Sequence, residues 1–229
     1  MDQQQQSPTR TVLLSCGSFN PITNMHLRLF EVARDALQQS TNSQTVVTEG
    51  IISPTHQSYA TSKRLAPAEH RCRMIELAVQ PLLHQRPHWV RCDRWETEQP
   101  GWTRTLAAMD HYRKQYPPDV QLRLLCGADL FDTFNVPDLW RDEDIETICG
   151  QYGMVVVTRQ GSDPWRTLDA SPKAAILNKY RQNIVIVEET IQNTVSSSAV
   201  RQAIKSGQSI RYLCPDSVIE YIDDNQLYQ

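Results

Sequence analysis

Short apolar runs rich in β-branched residues recur at positions 12–16, 46–52, 89–92, 122–126, 154–158 and 184–187. Their length and composition are those of buried strands. Between them the apolar period lengthens to that of a helix. Leu29, Phe30, Ala33 and Leu37 mark one face of a helix that begins near Met25, and Cys72, Ile75, Leu77 and Val79 mark a second that opens after Pro67. The spacing predicts a third helix over 103–116, stopped by Pro117-Pro118, and later ones over 172–180, 198–205 and 215–223. Strands alternating with helices predict an α/β fold: a parallel sheet with helices on both faces, whose ligands bind beyond the carboxyl ends of the strands. The polar stretches 55–64 and 161–172 hold few apolar anchors and are expected to be mobile.

Composition narrows this picture. The 229 residues suit one domain, expected over 11–229, after a polar tail over 1–10 that is expected to be disordered. With 23 basic and 26 acidic residues interspersed, the net charge of −3 gives no basic face for nucleic acid. No apolar stretch approaches the ~20 residues that span a bilayer, so no membrane partner is expected. The N-terminus has neither an apolar core nor an Arg-rich presequence. Cys16, Cys72, Cys92, Cys126, Cys149 and Cys214 form no C-x-x-C pair, which speaks against a zinc site or a disulfide framework and for buried thiols in a reducing compartment.

The chemistry concentrates at Gly17-Ser18-Phe19-Asn20-Pro21-Ile22-Thr23-Asn24-Met25-His26, between the first strand and the first helix. A helix start leaves N–H groups unpaired and carries partial positive charge, so it attracts phosphate. Gly17 permits close approach, Asn20-Pro21 makes the turn, and His26 in the first helical turn can direct a ring N–H at the same anion. A second helix start follows the last strand, where Ser198, Ala199, Val200 and Arg201 offer hydroxyls, main chain and a guanidinium. Two such sites fit a triphosphate better than a monophosphate. A third feature is the strand end Gly127-Ala128-Asp129, where the carboxylate suits a nucleotide sugar. Trp95, Trp102 and Trp140 lie in or beside predicted loops and offer flat faces to an aromatic ring. His56, His70, His84, His88 and His111 read as surface or satisfied core residues. No P-loop, G-x-S-x-G or H-E-x-x-H motif is present, and no carboxylate cluster suggests a permanent metal cage.

In this order, the turn, the Gly-Ala-Asp strand end, the indoles and Ser-Ser-Ser-x-x-Arg resemble the eukaryotic nicotinamide mononucleotide adenylyltransferases over nearly the whole chain. Gly207-Gln208-Ser209-Ile210-Arg211-Tyr212-Leu213 strengthens the likeness. The resemblance implies a Rossmann-like nucleotidyltransferase fold that makes NAD and pyrophosphate from ATP and nicotinamide mononucleotide, and accepts the deamidated substrate. It implies that Mg²⁺ arrives with ATP. It places Gly17, Ser18, Phe19, His26, Gly127, Asp129, Ser198, Ala199, Val200 and Arg201 on ATP, with His26 and Arg201 as the catalytic pair. Ser18, Phe19, Tyr59, Lys63, Trp95, Glu98, Leu139, Trp140, Glu189 and Asn193 would contact the mononucleotide or NAD, with Arg64 the alternative to Lys63. Homo-oligomers and a chaperone-like role also follow from the resemblance. The expected address is the cytoplasm, with nucleus or mitochondrion as alternatives. Transfer to another phosphate-bearing acceptor and a non-catalytic nucleotide-binding module remain as rival readings.

Overall fold

The structure is a computed structural model that describes residues 8–39, 45–59, 65–80, 89–191 and 193–229. All six predicted strands form: β1 (Thr9–Gly17), β2 (Thr45–Pro54), β3 (Val90–Cys92), β4 (Val120–Gly127), β5 (Met154–Val157) and β6 (Ile184–Val187). They pair in parallel in the order β3-β2-β1-β4-β5-β6. This is the doubly wound order, in which the chain reverses direction across the sheet at β1 and β4. The first strand starts at Thr9, inside the expected tail, because Thr9 and Arg10 pair with Thr45 and Val46 on β2.

Alternation along β1 divides the core. Val12 and Leu14 face one apolar layer and Leu13 faces the other. On the Leu13 side pack α1 (Asn24–Gln39) and α2 (Ala68–Val79), with Phe30 and Met74 buried. Past α3 (Trp95–Glu98), the opposite side takes α4 (Thr105–Arg113), α5 (Ala128–Asp132) and α6 (Asp142–Thr147), through Tyr112, Phe131 and Ile145. The fourth layer element on that side is α7 (Pro164–Ala170), followed by α8 (Ala174–Lys179); α9 (Ser197–Lys205) and α10 (Asp216–Asp224) return to the first face through Val200 and Val218.

Four helices escaped the sequence pattern. The strand β4 runs into α5 without a linker, and α3 is a single turn, so neither shows a period of its own. A π-helical turn at Ile148–Tyr152 continues α6 and blurs its register. The stretch expected to be mobile at 161–172 instead contains α7: Asp163 caps it by accepting the Arg166 N–H at 3.0 Å, Pro164 presets its first turn, and Thr167 and Leu168 are buried. Of the other such stretch, residues 60–64 lie outside the described residues. Among the described residues no helix is long and apolar enough to cross a membrane.

One buried guanidinium ties the strand ends together. Arg71 on α2 donates from Nε to Ala66 O (3.0 Å), from Nη1 to Ser18 O (3.0 Å) and from Nη2 to Thr55 O (2.7 Å). It thereby joins the loops that leave β1 and β2 to the start of α2. Burial lowers its pKa, but arginine starts so high that the charge persists. Removing it strands these carbonyls away from water at about 1–3 kcal/mol each. Arg71→Ala is therefore expected to lower unfolding stability by roughly 3–5 kcal/mol in urea titration, and a loss below about 1 kcal/mol would contradict this role.

Candidate active site

The switch point opens into a cavity of about 700 Å³ at the carboxyl ends of β1, β4, β5 and β6. It is bordered by Gly17, Ser18, Phe19 and His26 from the first turn, Gly127 and Asp129 from the end of β4, and Glu189 and Asn193 after β6. The fold thus brings together eight residues singled out from the sequence that are scattered from position 17 to position 193.

The turn is held from outside. Gly17 O accepts from Thr55 N (2.8 Å), Ser18 O from Arg71, Asn20 O from Arg201 Nη1 (2.7 Å), Pro21 O from Ser197 Oγ (2.7 Å) and Ile22 O from the Cys214 thiol (3.3 Å). The Asn20 side-chain oxygen takes two further donors, Ala66 N at 3.0 Å and Tyr228 Oη at 2.8 Å. Phe19 adopts the left-handed conformation with φ 44°, uncommon for a large side chain, and buries its ring. Five of the six main-chain oxygens from Gly17 to Ile22 are thus engaged by other elements.

His26 has a defined protonation state. Both the N–H and the hydroxyl of Thr23 lie within hydrogen-bond reach of its Nδ1, at 3.0 and 2.9 Å. A main-chain N–H only donates, so Nδ1 is the acceptor and Nε2 carries the proton. Burial lowers the ring pKa to about 4, aided by the Arg159 charge and opposed by Asp129. The imidazole is therefore a neutral N–H donor at physiological pH.

Around it, charges are arranged in pairs. Asp129 accepts from Arg159 Nη1 at 2.9 Å and from Leu130 N at 3.1 Å, while Arg159 Nη2 donates to Val195 O at 2.8 Å. A Cβ on Gly127 would lie 2.6 Å from Asp129 Oδ1, so glycine is what lets that carboxylate fold back. Burial alone would raise the pKa of Glu189; the Arg28 guanidinium at 2.9 Å and the Ile191 N–H at 2.9 Å bring it below the usual carboxylate range. Asn193 Oδ1 accepts from Val195 N at 3.1 Å, bending the chain toward α9.

The second anion site differs from expectation: Ser198, Ala199, Val200 and Arg201 do not border the cavity. Arg201 does share a face with Ser198, donating from Nη2 to its Oγ at 3.1 Å. However, Ser196 already takes the N–H groups of Ala199 (3.1 Å, by its Oγ) and Val200 (3.0 Å, by its carbonyl), and the Val200 side chain is buried in the core. That leaves the first-turn N–H groups of Ser197 and Ser198 as the donors of this helix start.

Tyr59, Trp95, Glu98, Leu139 and Trp140 do not border the cavity. Trp95 opens α3 and stacks on His111, with ring centroids 4.0 Å apart and planes 13° apart, so one of its faces is covered. Trp140 donates Nε1–H to Thr133 Oγ1 at 2.9 Å and sets its edge against Phe134. Tyr59 leans on Trp102 at 5.7 Å, Glu98 ends α3, and Leu139 is exposed. These belong to the loops after β2, β3 and β4, beside the cavity. Lys63, Arg64, His84 and His88 lie outside the described residues. His111 is a ring partner of Trp95, and all six cysteines are free thiols, four of them buried. Among the described residues no group of three or more His, Cys, Asp or Glu side chains can hold a metal ion.

Sequence reasoning missed Arg159, Arg28 and Arg71. Arg159 had a usable signal: it follows Thr158 directly beyond the end of β5, the same strand-end position that drew attention to Gly127 and Asp129. Arg28 and Arg71 had none, since their partners are more than fifty residues away or are main-chain carbonyls.

A doubly wound parallel sheet with a histidine-bearing turn at its switch point and a second helix start against that turn defines a nucleotidyltransferase. Comparison with known proteins agrees: residues 14–203 match the cytidylyltransferase-like family. The chain is 38% identical to nicotinamide/nicotinic acid mononucleotide adenylyltransferase 1 of Bos taurus, covering 96% of this chain and 89% of that protein. It is 39% identical to the Schizosaccharomyces pombe nicotinamide/nicotinic acid mononucleotide adenylyltransferase, covering 95% of this chain and 60% of that longer relative. A solved structure of a candidate nicotinate-nucleotide adenylyltransferase from Vibrio parahaemolyticus superposes with a TM-score of 0.59 at 14% identity over 96% of this chain and 95% of that one, a likeness of fold. The chain belongs to the nicotinamide/nicotinic acid mononucleotide adenylyltransferases of the cytidylyltransferase-like family.

Because folding lowers the His26 pKa from about 6.5 to about 4, protonation favours the unfolded chain. Its contribution is whole above pH ~6.5 and is lost as the pH falls toward 4. An ¹⁵N-edited NMR titration of the free protein is expected to show the His26 ring neutral, with Nε2 protonated, down to about pH 5. A midpoint near 6.5 would contradict the geometry.

Proposed function

We propose that this chain transfers the adenylyl group of MgATP to nicotinamide mononucleotide, and to its deamidated form, yielding the dinucleotide and pyrophosphate. The observation that carries the reading is the neutral His26 N–H donor, fixed by Thr23 in the turn at the switch point of an adenylyltransferase-family fold. The ATP would lie on the β5 and β6 side, with its sugar toward Gly127, Asp129 and Arg159 and its phosphates between the first turn and the start of α9. The mononucleotide would approach from the β2 and β3 side, where Tyr59, Trp95 and Trp102 gather.

The acceptor phosphate is already a competent nucleophile, so the chain needs to supply orientation and charge stabilisation and no covalent intermediate. In this reading the acceptor oxygen attacks the α-phosphorus in line, and the bond from the α-phosphorus to the α,β-bridging oxygen breaks, releasing pyrophosphate. His26 Nε2–H donates to an α-phosphate oxygen as charge gathers there. Arg201, anchored on Asn20 O and Ser198 Oγ, places positive charge beside the departing pyrophosphate. Mg²⁺ would arrive with ATP and not on a side-chain cluster among the described residues, and would supply neutralisation of phosphate charge.

Incubation with ATP, Mg²⁺ and nicotinamide mononucleotide is expected to form NAD and pyrophosphate in equal amounts; tight nucleotide binding without NAD would favour a non-catalytic module. His26→Ala is expected to reduce turnover by roughly 10²–10³ in a folded protein, the scale of losing one transition-state donor. Near-normal turnover would remove His26 from the chemistry.

A further inference from the structure

The chain contains five tryptophans. Four are engaged: Trp89 donates to Glu31 at 3.0 Å beneath the Arg34 guanidinium, Trp95 stacks on His111, Trp102 lies against Tyr59, and Trp140 donates to Thr133. Among the described residues the side chain of Trp165 has neither a ring partner nor a hydrogen bond, yet it is 52% exposed and borders the central cavity. Ile191, 65% exposed, borders the same cavity from the segment after β6. Scattered exposed apolar side chains need no explanation, but two of them at the mouth of one cavity do.

The indole also stands on a fixed base. Trp165 is the second residue of α7, whose start is set by Pro164 and the Asp163 cap. Thr167 donates to Asp132 at 2.6 Å and accepts from Asn135 at 3.1 Å, and Leu168 is buried, so α7 is fastened to the α5 segment. Ile191 is positioned by its own N–H on Glu189. A rigid aromatic face at a cavity mouth is suited to a flat, poorly solvated ring.

We propose that Trp165 is the stacking platform for the adenine of ATP, with Ile191 as an apolar contact to the same base. The assignment of the ring to ATP rests on the reading above. A triphosphate held against the start of α9, which follows β6, leaves its base on the β5 and β6 side, where Trp165 stands. A base–aromatic stack reads the π-face and not an edge, so Trp165 sets affinity for the nucleotide donor while the groups at the strand ends set orientation.

The test is steady-state kinetics on Trp165→Ala and Trp165→Phe, with ATP and the mononucleotide varied separately. Loss of the stack is expected to raise KM for ATP about tenfold in Trp165→Ala, with most of it restored in Trp165→Phe and KM for the mononucleotide unmoved. Titration of the free protein with ATP, without acceptor, is expected to quench indole emission in the wild type and to lose most of that quench in Trp165→Phe. An unchanged KM for ATP, equal rises for both substrates, or a quench that persists without Trp165 would overturn the proposal. The quench needs no turnover, so a wild-type protein that binds ATP through Trp165 but makes no dinucleotide would fail the proposed activity and leave this inference standing.

Discussion

The structure depends on a main-chain turn in which five of the six oxygens from Gly17 to Ile22 are claimed by other parts of the chain. Between Gly17 and Ile22, the carbonyls accept from the loop after β2, from α2, from the start of α9 and from the segment before α10. Each bond contributes only about 1 kcal/mol of net stability. Their joint effect is orientation: none of those five peptides can rotate without breaking a contact to another element. A phosphate site built of main-chain groups works only if those groups are already aimed, because reorganisation during reaction subtracts from stabilisation of the transition state. The two buried or half-buried arginines at this turn, Arg71 and Arg201, donate to carbonyls and not to carboxylates. Neither forms an ion pair among the described residues.

The same logic governs His26. A protonated ring at the start of α1 would carry a buried charge, the larger cost, and would face the Arg159 guanidinium. Thr23 converts this constraint into a single tautomer. Farther out, the charges are matched, Arg159 with Asp129 and Arg28 with Glu189, so that the carboxylates shape the cavity wall without repelling the incoming nucleotide.

The sheet was legible because its strands are apolar on both faces and short, which makes each run stand out against the helical period on either side. The turn and its histidine were legible because strand, turn and helix follow one another in sequence. What the chain concealed falls into two kinds. Helices shorter than two turns, such as α3 and α5, have no period to detect, and α7 has only Leu168 among its buried residues as an aliphatic anchor. Functional groups whose partners are distant, such as Arg71 on Ser18 or Arg28 on Glu189, leave no local mark. Among the indoles, Trp95 and Trp140 stood out by proximity to loops and are engaged with His111 and Thr133, while Trp165, in a stretch that looks mobile, borders the cavity with no ring partner among the described residues.

At the centre of this account two nucleotides meet at one α-phosphorus, which passes directly from leaving group to acceptor. The stereochemical course of the reaction tests that most directly. With ATP carrying sulfur in one configuration at the α-phosphorus, a single in-line displacement inverts the configuration in the dinucleotide product. Inversion is the predicted result; retention, the mark of two successive displacements through an adenylylated side chain, would contradict the account.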